Sequence, residues 1–404
     1  MVPRLCIKAR PDRASVLYWK QAIFKEFLAC AGFRAVVTIP FLKKIKFPKL
    51  NLKLSLAPAS FVGIDIGSDS AKVVQLRKER ERAVLETYGE LKSPAYLAKA
   101  PSRGMGGFLG YRDEDVVSLL TDVLREANVT TKRAVFSIPA TSSFIIVIQL
   151  PAMSPEELKA AIPFEAKKYI PIPIQEVVLD WQVIEEDTAA KRVSALLAAV
   201  PHEIIAKYQR IADTLKLELE AVEIESFSLV RSLTATERLI TAIINWGALV
   251  TTVTVSDQRR IRMNHNFGHG SREITTLLSQ SLGITPERAE AMKREIGLSE
   301  KPEEREIASI IAPIVDNILA DIERAIVTYN RQHRRKVEKI ILAGGGASLS
   351  GLVDHVARRF GLETAIGNPF HRTVFPEFLQ PLLKEIAPNF GVAVGLALRP
   401  ITPS

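Results

Sequence analysis

The sequence contains too few cysteines for a disulfide framework or a cysteine-based metal site. Cys6 and Cys30 are its two cysteines in 404 residues, which favours a reducing, cytosolic setting. Of the six histidines, the closest pair is His265 and His269. This pair lies in a glycine-broken stretch rather than on a helix, so no metal site is expected there.

Long hydrophobic runs are also missing. A membrane-spanning helix needs about 20 consecutive apolar residues. The nearest candidate, residues 27–42, is interrupted by Arg34 and Pro40. The N-terminal stretch has no clear cleavage site, so it does not resemble a secretory signal either. We therefore expect no transmembrane segment.

Most of the chain has almost no net charge, although the total is +9. Residues 1–60 hold 12 Lys and Arg against Asp12 and Glu26, a net charge of +10. The other residues carry 42 basic and 43 acidic side chains, a net charge of −1. This distribution argues against nucleic-acid binding by the whole protein. For the basic N-terminal extension, a disordered or untranslated leader and a segment lying on an anionic membrane surface both remain open.

The first informative segment is a strand, a glycine turn and a second strand at residues 61–76. Such a turn can present backbone N–H groups to phosphate oxygens. Asp65 could hold Mg²⁺ through a water molecule, and Lys72 could add a positive charge. A charged surface hairpin is the alternative interpretation. The candidate nucleotide-binding residues are Asp65, Gly67, Ser68, Ser70 and Lys72.

A second glycine-rich turn lies about 280 residues later, between a predicted strand at 339–342 and a helix at 349–360. Backbone without side chains can approach an adenosine or its phosphates closely. Many α/β folds contain such a turn, so the turn alone is weak evidence for nucleotide binding. Its position after the first glycine turn is more informative than its composition. The candidate residues here are Gly344, Gly345, Gly346 and Ser348.

Residues 144–217 have the pattern of a separate inserted subdomain. A capping box at Ser154 and Glu157 predicts the start of a helix, and paired strands and an amphipathic helix at 201–215 follow. Phe164, Tyr169 and Trp181 are candidates for a peptide groove, although aromatic side chains more often pack in a core.

These segments resemble a known superfamily. DIGSDSAK at 65–72 and LAGGGASLSGL at 342–352 are similar to the first phosphate loop and the adenosine motif of the actin, Hsp70 and hexokinase superfamily. A finer resemblance, over residues 61–399, is to the PilM family of type IV pilus assembly proteins and to its relative FtsA. It is most specific around residues 165–181, and NFGVAVGLALR at 389–399 also resembles that family.

The resemblance implies an α/β, two-lobed actin-like fold that closes on ATP and Mg²⁺, with an inserted subdomain in lobe one. It also implies a groove between the first lobe and the insertion for the cytoplasmic tail of the inner-membrane protein PilN. The platform would be that of a type IV pilus or a related type II secretion system, with contacts to other platform or motor proteins. The protein would then be cytoplasmic, peripheral to the inner membrane and capable of self-association. The implied division is 1–58 as the extension, 59–143 as the first part of lobe one, 144–217 as the inserted subdomain, 218–237 as a return to lobe one, 238–372 as lobe two and 373–404 as the final return to lobe one.

The second phosphate loop departs from the superfamily pattern, which usually reads Asp-x-Gly-x-Gly-Thr-Thr. Asn245 replaces the carboxylate, Gly247 is kept, and Leu249 and Val250 replace a glycine and a threonine. We therefore expect nucleotide binding with weak or absent hydrolysis. The alternatives are that the true second loop lies elsewhere in the chain or that another acid substitutes, and Asp257 is the nearest candidate.

Two other functions remain open. One is an active ATPase or small-molecule kinase, although no distinctive motif for a catalytic base or a sugar pocket is found. The other is an FtsA-like cell-division tether. FtsA ends in an amphipathic membrane helix, whereas residues 399–404, RPITPS, cannot form one.

Overall fold

The computed structural model describes residues 59–97, 110–234 and 237–402. The predictions for the extension at residues 1–58 lie outside this part of the chain. Within the described ranges, no helix is long and apolar enough to cross a membrane.

The described strands are β1 (Ser60–Ile66), β2 (Ser70–Glu79), β3 (Arg82–Lys92), β4 (Arg133–Ile138), β5 (Phe144–Pro151), β6 (Val177–Asp187), β7 (Arg192–Pro201), β8 (Glu218–Ile224), β9 (Thr241–Trp246), β10 (Thr251–Asp257), β11 (Arg260–Phe267), β12 (Lys339–Ala343), β13 (Glu363–Ile366) and β14 (Thr373–Val374).

The described α-helices are α1 (Pro94–Leu97), α2 (Asp113–Glu126), α3 (Pro155–Ala166), α4 (His202–Thr214), α5 (Glu225–Leu233), α6 (Ser271–Leu282), α7 (Pro286–Ile296), α8 (Arg305–Gln332), α9 (Leu352–Phe360), α10 (Gln380–Ile386) and α11 (Gly391–Leu398).

The first lobe is built on a six-stranded sheet with the order β14-β3-β2-β1-β4-β8. Strands β1, β2 and β3 form an antiparallel meander, which confirms the strand–turn–strand predicted at residues 61–76. β1 is parallel to β4, and β4 is parallel to β8. Because parallel strands end at the same edge of a sheet, the turns after β1, β4 and β8 share one edge, where ligands bind in open α/β sheets.

The second lobe has a five-stranded sheet with the order β11-β10-β9-β12-β13. β9, β10 and β11 are antiparallel neighbours, and β12 is parallel to β9. The long helix α8 packs on this sheet through Ile311, Val315, Ile318 and Ile322, which lie in the core of the lobe. Pro313 lies inside this helix.

A separate three-stranded sheet, β5-β7-β6, forms the inserted part of the chain. Helix α3 covers it, and its start confirms the capping box, because Ser154 accepts from the backbone N–H of Glu157 and the Glu157 carboxylate accepts from that of Ser154. The buried residues Leu158 and Ile162 of α3 pack on the sheet in a core of their own.

The boundary proposed at residue 217 follows a helix that packs on the first lobe. Helix α4, which we assigned to the inserted subdomain, packs into the core of the first lobe, where Ile204 and Tyr208 join Leu119 and Leu120 of α2. Its amphipathic pattern identifies an apolar face, but it does not say which sheet that face covers. We therefore propose residues 144–201 as the inserted part, and the other boundaries stay a proposal as well.

Helix α11, which is rich in glycine and alanine, lies unusually close to its neighbours. A Cβ atom on Gly395 would lie 2.0 Å from the Ser228 carbonyl oxygen of α5, and one on Gly63 of β1 would lie 2.1 Å from the Ala393 carbonyl oxygen. Contacts this short exclude any side chain at both positions. The glycines therefore allow α11 to pack directly against β1 and α5.

Candidate functional site

A cleft of about 1550 Å³ lies between the two lobes. It is large enough for a nucleotide, since pockets for small molecules usually have volumes of about 300–1,000 Å³. All eleven residues that the sequence predicted for nucleotide binding line this one cleft: Asp65, Gly67, Ser68, Ser70, Lys72, Asn245, Gly247, Gly344, Gly345, Gly346 and Ser348. The structure thus brings together three segments that are far apart in the sequence.

Asp65 stands near the end of β1, and Ser137 of β4 donates a hydrogen bond to its carboxylate over 2.8 Å. Burial raises the pKa of Asp65, against the opposing effects of Lys72 and Ser137. Lys72 Nζ donates to Ser70 Oγ over 2.7 Å and lies 3.7 Å from Glu90 Oε1. The first loop therefore combines a partly buried carboxylate with a cation that another carboxylate partly neutralises.

The second loop follows β9, where the neutral side chain of Asn245 lines the cleft. The structure removes Asp257 as a substitute acid. It lies at the far end of β10, six residues from Thr251, which corresponds to about 20 Å along an extended strand. There its carboxylate lies 2.8 Å from Arg335 and 3.7 Å from Arg262. Asp257 is thus engaged outside the cleft.

The third loop is shaped by its contact with the end of β9. Gly344 has a φ of +82°, and a Cβ atom there would lie 2.6 Å from the Trp246 carbonyl oxygen. A Cβ atom on Gly346 would lie 2.4 Å from the Trp246 ring. These two glycines are therefore required by the packing of the second loop against the third, whether or not a ligand is bound.

Glu225 is a cleft residue that the sequence analysis missed. It is the first residue of α5, directly after β8, and its carboxylate accepts a hydrogen bond from the Ala140 backbone N–H over 3.0 Å. Burial and then the nearby Asp65 raise the pKa of Glu225 to about 7. An acid in the first turn of a helix is common, so the sequence offers little signal for this role.

A polar cluster on lobe two was also missed. Lys293 Nζ donates to Glu290 over 2.6 Å and to Thr275 over 3.0 Å. Burial alone would raise the pKa of Glu290, but hydrogen bonds from Lys293 and Thr275 outweigh it and lower this pKa to about 2. With Arg294, these residues line the cleft. The only sequence signal is the spacing of Lys293 and Arg294, which follow Glu290 by three and four residues on helix α7.

The cleft has the chemistry that a nucleotide needs. Two buried polar atoms on its lining residues, Trp246 Nε1 and Asn389 Oδ1, have no hydrogen-bond partner among the described residues. Glycine loops and cations from both lobes face the same space. In the described ranges no group of three His, Cys, Asp or Glu side chains is placed to hold a metal. A bound Mg²⁺ would therefore need water and phosphate oxygens in addition to Asp65.

The three aromatic groove candidates lie in different environments. Phe164 is 68% exposed and Tyr169 is 47% exposed, whereas Trp181 on β6 is partly buried against the core of the inserted sheet. Lys167 and residues 170–175, which flank Tyr169 in the sequence, line a shallow pocket of about 370 Å³. The structure thus exposes two of the three candidates on the inserted part.

Comparisons with known proteins support the fold. The family model described as type IV pilus assembly protein PilM matches residues 63–401. A chain of a solved "PilM-PilN type IV pilus biogenesis complex" has a TM-score of 0.73 and 22% identity, covering 86% of this chain and 100% of that one. The predicted two-lobed actin-like fold is confirmed.

Two further solved structures are less similar. The ethanolamine utilization protein EutJ from Carboxydothermus hydrogenoformans has a TM-score of 0.48 and 15% identity, covering 85% of this chain and 90% of that one. MreB5 of Spiroplasma citri bound to ADP has a TM-score of 0.47 and 12% identity, covering 77% of this chain and 92% of that one.

Proposed function

This chain belongs to the PilM family of type IV pilus assembly proteins, and from that premise we propose that it is an ATP-binding adaptor of the pilus inner-membrane platform. In this proposal the cleft holds ATP and Mg²⁺, and the inserted subdomain holds the cytoplasmic tail of a PilN-like protein. The protein acts in the cytoplasm, peripheral to the inner membrane. It also meets other platform or motor proteins there, and it has the capacity to self-associate.

The convergence of three glycine loops on one cleft carries the nucleotide part of the proposal. The Gly67–Ser70 turn and Lys72 receive the phosphates, and Gly344–Gly346 leave room for the adenosine. Glu290, Lys293 and Arg294 line the same cleft from lobe two, where they offer hydrogen-bonding groups to a ribose or a base. Asp65 orients Mg²⁺ through water, and the metal neutralises phosphate charge when it is bound.

Nucleotide binding is tested by titrating the full-length protein with a non-hydrolysable ATP analogue and Mg²⁺. We expect saturable binding that Lys72→Ala weakens about tenfold or more, because a hydrogen bond to a charged group contributes about 1.5–3 kcal/mol. Lys191→Ala, on the turn between β6 and β7, is the matched control and should bind normally. Absence of binding up to millimolar nucleotide would contradict the proposal.

The partner part is supported by the family and by the inserted subdomain. The similar fold was solved as a PilM–PilN complex, and here Phe164 and Tyr169 expose large apolar surface beside a shallow pocket. Exposed aromatic side chains often provide the main binding energy for a peptide. The segment of residues 170–174, IPIPI, adds further apolar surface.

Partner binding is tested with a synthetic N-terminal tail of a PilN-like protein and the full-length chain. Phe164→Ala and Tyr169→Ala should each weaken binding about fivefold or more, the effect of losing a contact that contributes over 1 kcal/mol. Leu382→Ala removes an apolar side chain from α10 in lobe one whose exposure is close to that of Tyr169, and it should have no effect. Equal affinity of all variants would rule out this groove.

A further inference from the structure

Arg272 connects the two lobes across the cleft. It is the second residue of α6 in lobe two, and its Nη2 donates a hydrogen bond to the Ser68 carbonyl oxygen of lobe one over 3.2 Å. Ser68 lies in the turn between β1 and β2, and both residues line the cleft. A lobe-two cation therefore reaches the turn at which the proposed phosphates bind.

The other cations at this turn already have acidic partners. Lys92 Nζ lies 2.7 Å from Asp69, and Lys72 Nζ lies 3.7 Å from Glu90. Arg272 has no carboxylate within ion-pair distance among the described residues. It therefore provides the positive charge at the turn that no carboxylate of the described chain neutralises.

The backbone around Arg272 is held against the second loop. The backbone N–H of Ser271 donates to the Gly247 carbonyl over 3.0 Å, and that of Arg272 donates to the Ala248 carbonyl over 2.9 Å. A Cβ atom on Gly270 would lie 2.5 Å from the Ala248 carbonyl oxygen, so the two segments are in direct contact. Arg272 is therefore held beside the second loop, in which Asn245 stands in place of the expected acid.

We propose that Arg272 binds the terminal phosphates of the nucleotide, a role that rests on the proposed function of the cleft. The guanidinium carries a permanent charge and several N–H donors, which match two phosphate oxygens at once. On binding, it exchanges the neutral Ser68 carbonyl for a charged phosphate acceptor. Because Arg272 belongs to lobe two and the turn to lobe one, the same phosphate contacts both lobes and favours their closed arrangement.

This role makes the effect of Arg272 depend on the number of phosphates. A residue that only joins the lobes would change the affinity for AMP, ADP and an ATP analogue by the same factor. A residue that binds the terminal phosphates changes the affinity for the ATP analogue more than the affinity for AMP. Inorganic pyrophosphate reports the same contact without the adenosine, because it competes for the phosphate positions alone.

The test measures the affinities of AMP, ADP and a non-hydrolysable ATP analogue for the full-length wild type, Arg272→Ala and Arg272→Lys. We expect Arg272→Ala to weaken the ATP analogue about tenfold or more, to weaken ADP less and to leave AMP within about twofold. Arg272→Lys should retain part of the affinity, because lysine keeps the charge without the planar donors. Competition by pyrophosphate should be weaker in Arg272→Ala than in the wild type.

Arg288→Ala is the matched control, since Arg288 is an exposed arginine on the neighbouring α7 that does not line the cleft. Thermal unfolding without nucleotide checks that each variant is folded. An equal loss of affinity for all three nucleotides, or no loss, would overturn the assignment of Arg272 while leaving nucleotide binding intact. A wild type that binds no nucleotide would overturn both.

Discussion

The Glu225 carboxylate accepts a hydrogen bond from the backbone N–H of Ala140 over 3.0 Å, and this contact holds a partly buried acid on the wall of the cleft. Burial, and then the charge of Asp65, raise the pKa of Glu225 to about 7, while Lys72 and the Ala140 N–H oppose the shift. Asp65 has a raised pKa for the same first reason, its burial. Both carboxyl groups thus have a pKa above the ordinary value for their residue type.

This raised pKa predicts that ionisation of Glu225 lowers the free energy of unfolding as the pH rises. Its folded-state pKa is above the ordinary value of 4.5, so between about pH 4.5 and 7 the folded state binds more protons than the unfolded state, and the free energy of unfolding falls. Glu225→Gln keeps an acceptor for Ala140 and removes the charge. The free energy of unfolding of the variant minus that of the wild type should therefore be about 2–3 kcal/mol larger at pH 8 than at pH 5.

Urea denaturation of both proteins at the two pH values measures this difference. The comparison cancels the titration of groups that do not interact with Glu225. Removing its charge also lowers the pKa of Asp65, which acts in the same direction. A stability difference between the two proteins that does not change with pH would show that Glu225 titrates normally.

We expect ATP turnover to be slow, below about 1 s⁻¹, which is the low end for ordinary enzymes. The second loop presents the amide of Asn245 where a carboxylate would orient a metal-bound water, and loss of one such partner costs about 100- to 1,000-fold. The structure also removes Asp257 as a substitute, because it is paired with Arg335.

Asn245→Asp should raise the rate of phosphate release about tenfold or more in the presence of Mg²⁺, as it restores part of that loss. Asn245→Ala should give no gain, and Lys72→Ala should lower nucleotide binding and release together. A wild-type rate of 1 s⁻¹ or faster would show that the acid at this position is not needed.

Gly395→Ala should destabilise the protein by about 1–3 kcal/mol, the usual cost of overpacking. The new Cβ atom would lie 2.0 Å from the Ser228 carbonyl oxygen, so α11 and α5 would have to separate. Gly268→Ala is the matched control, because no atom lies within 4 Å of its new Cβ atom. Chemical denaturation of both variants measures the difference, and equal stability would mean that α11 moves away at little cost.

Local patterns in the sequence predicted the elements that depend on neighbouring residues. The capping box of Ser154 and Glu157 starts α3 as expected, because its hydrogen bonds span three residues. The glycine turns after β1 and β12 were also found, since strand ends and glycines are visible in the chain. The family resemblance implied that these turns bind one nucleotide, and the eleven proposed residues do line one cleft.

Contacts between distant segments could not be predicted in this way. Glu225 and Lys293 become cleft residues only because α5 and α7 are packed at the cleft edge, and nothing in their local sequence marks that position. Asp257 was a plausible acid in the sequence until the structure placed Arg335 beside it. Likewise, the apolar face of α4 was visible, but its burial in lobe one was not.

The sequence by itself determined the fold family, the glycine loops and the missing acid at Asn245, because each is written in a short continuous segment. Only the tertiary structure decided which charges meet in the cleft, such as Arg272 at the Ser68 carbonyl, 204 residues away in the chain. The physical reason is the distance along the chain over which each interaction acts. Backbone conformation follows from local sterics and hydrogen bonds, whereas the pKa and the partner of a side chain depend on every element that folding packs around it.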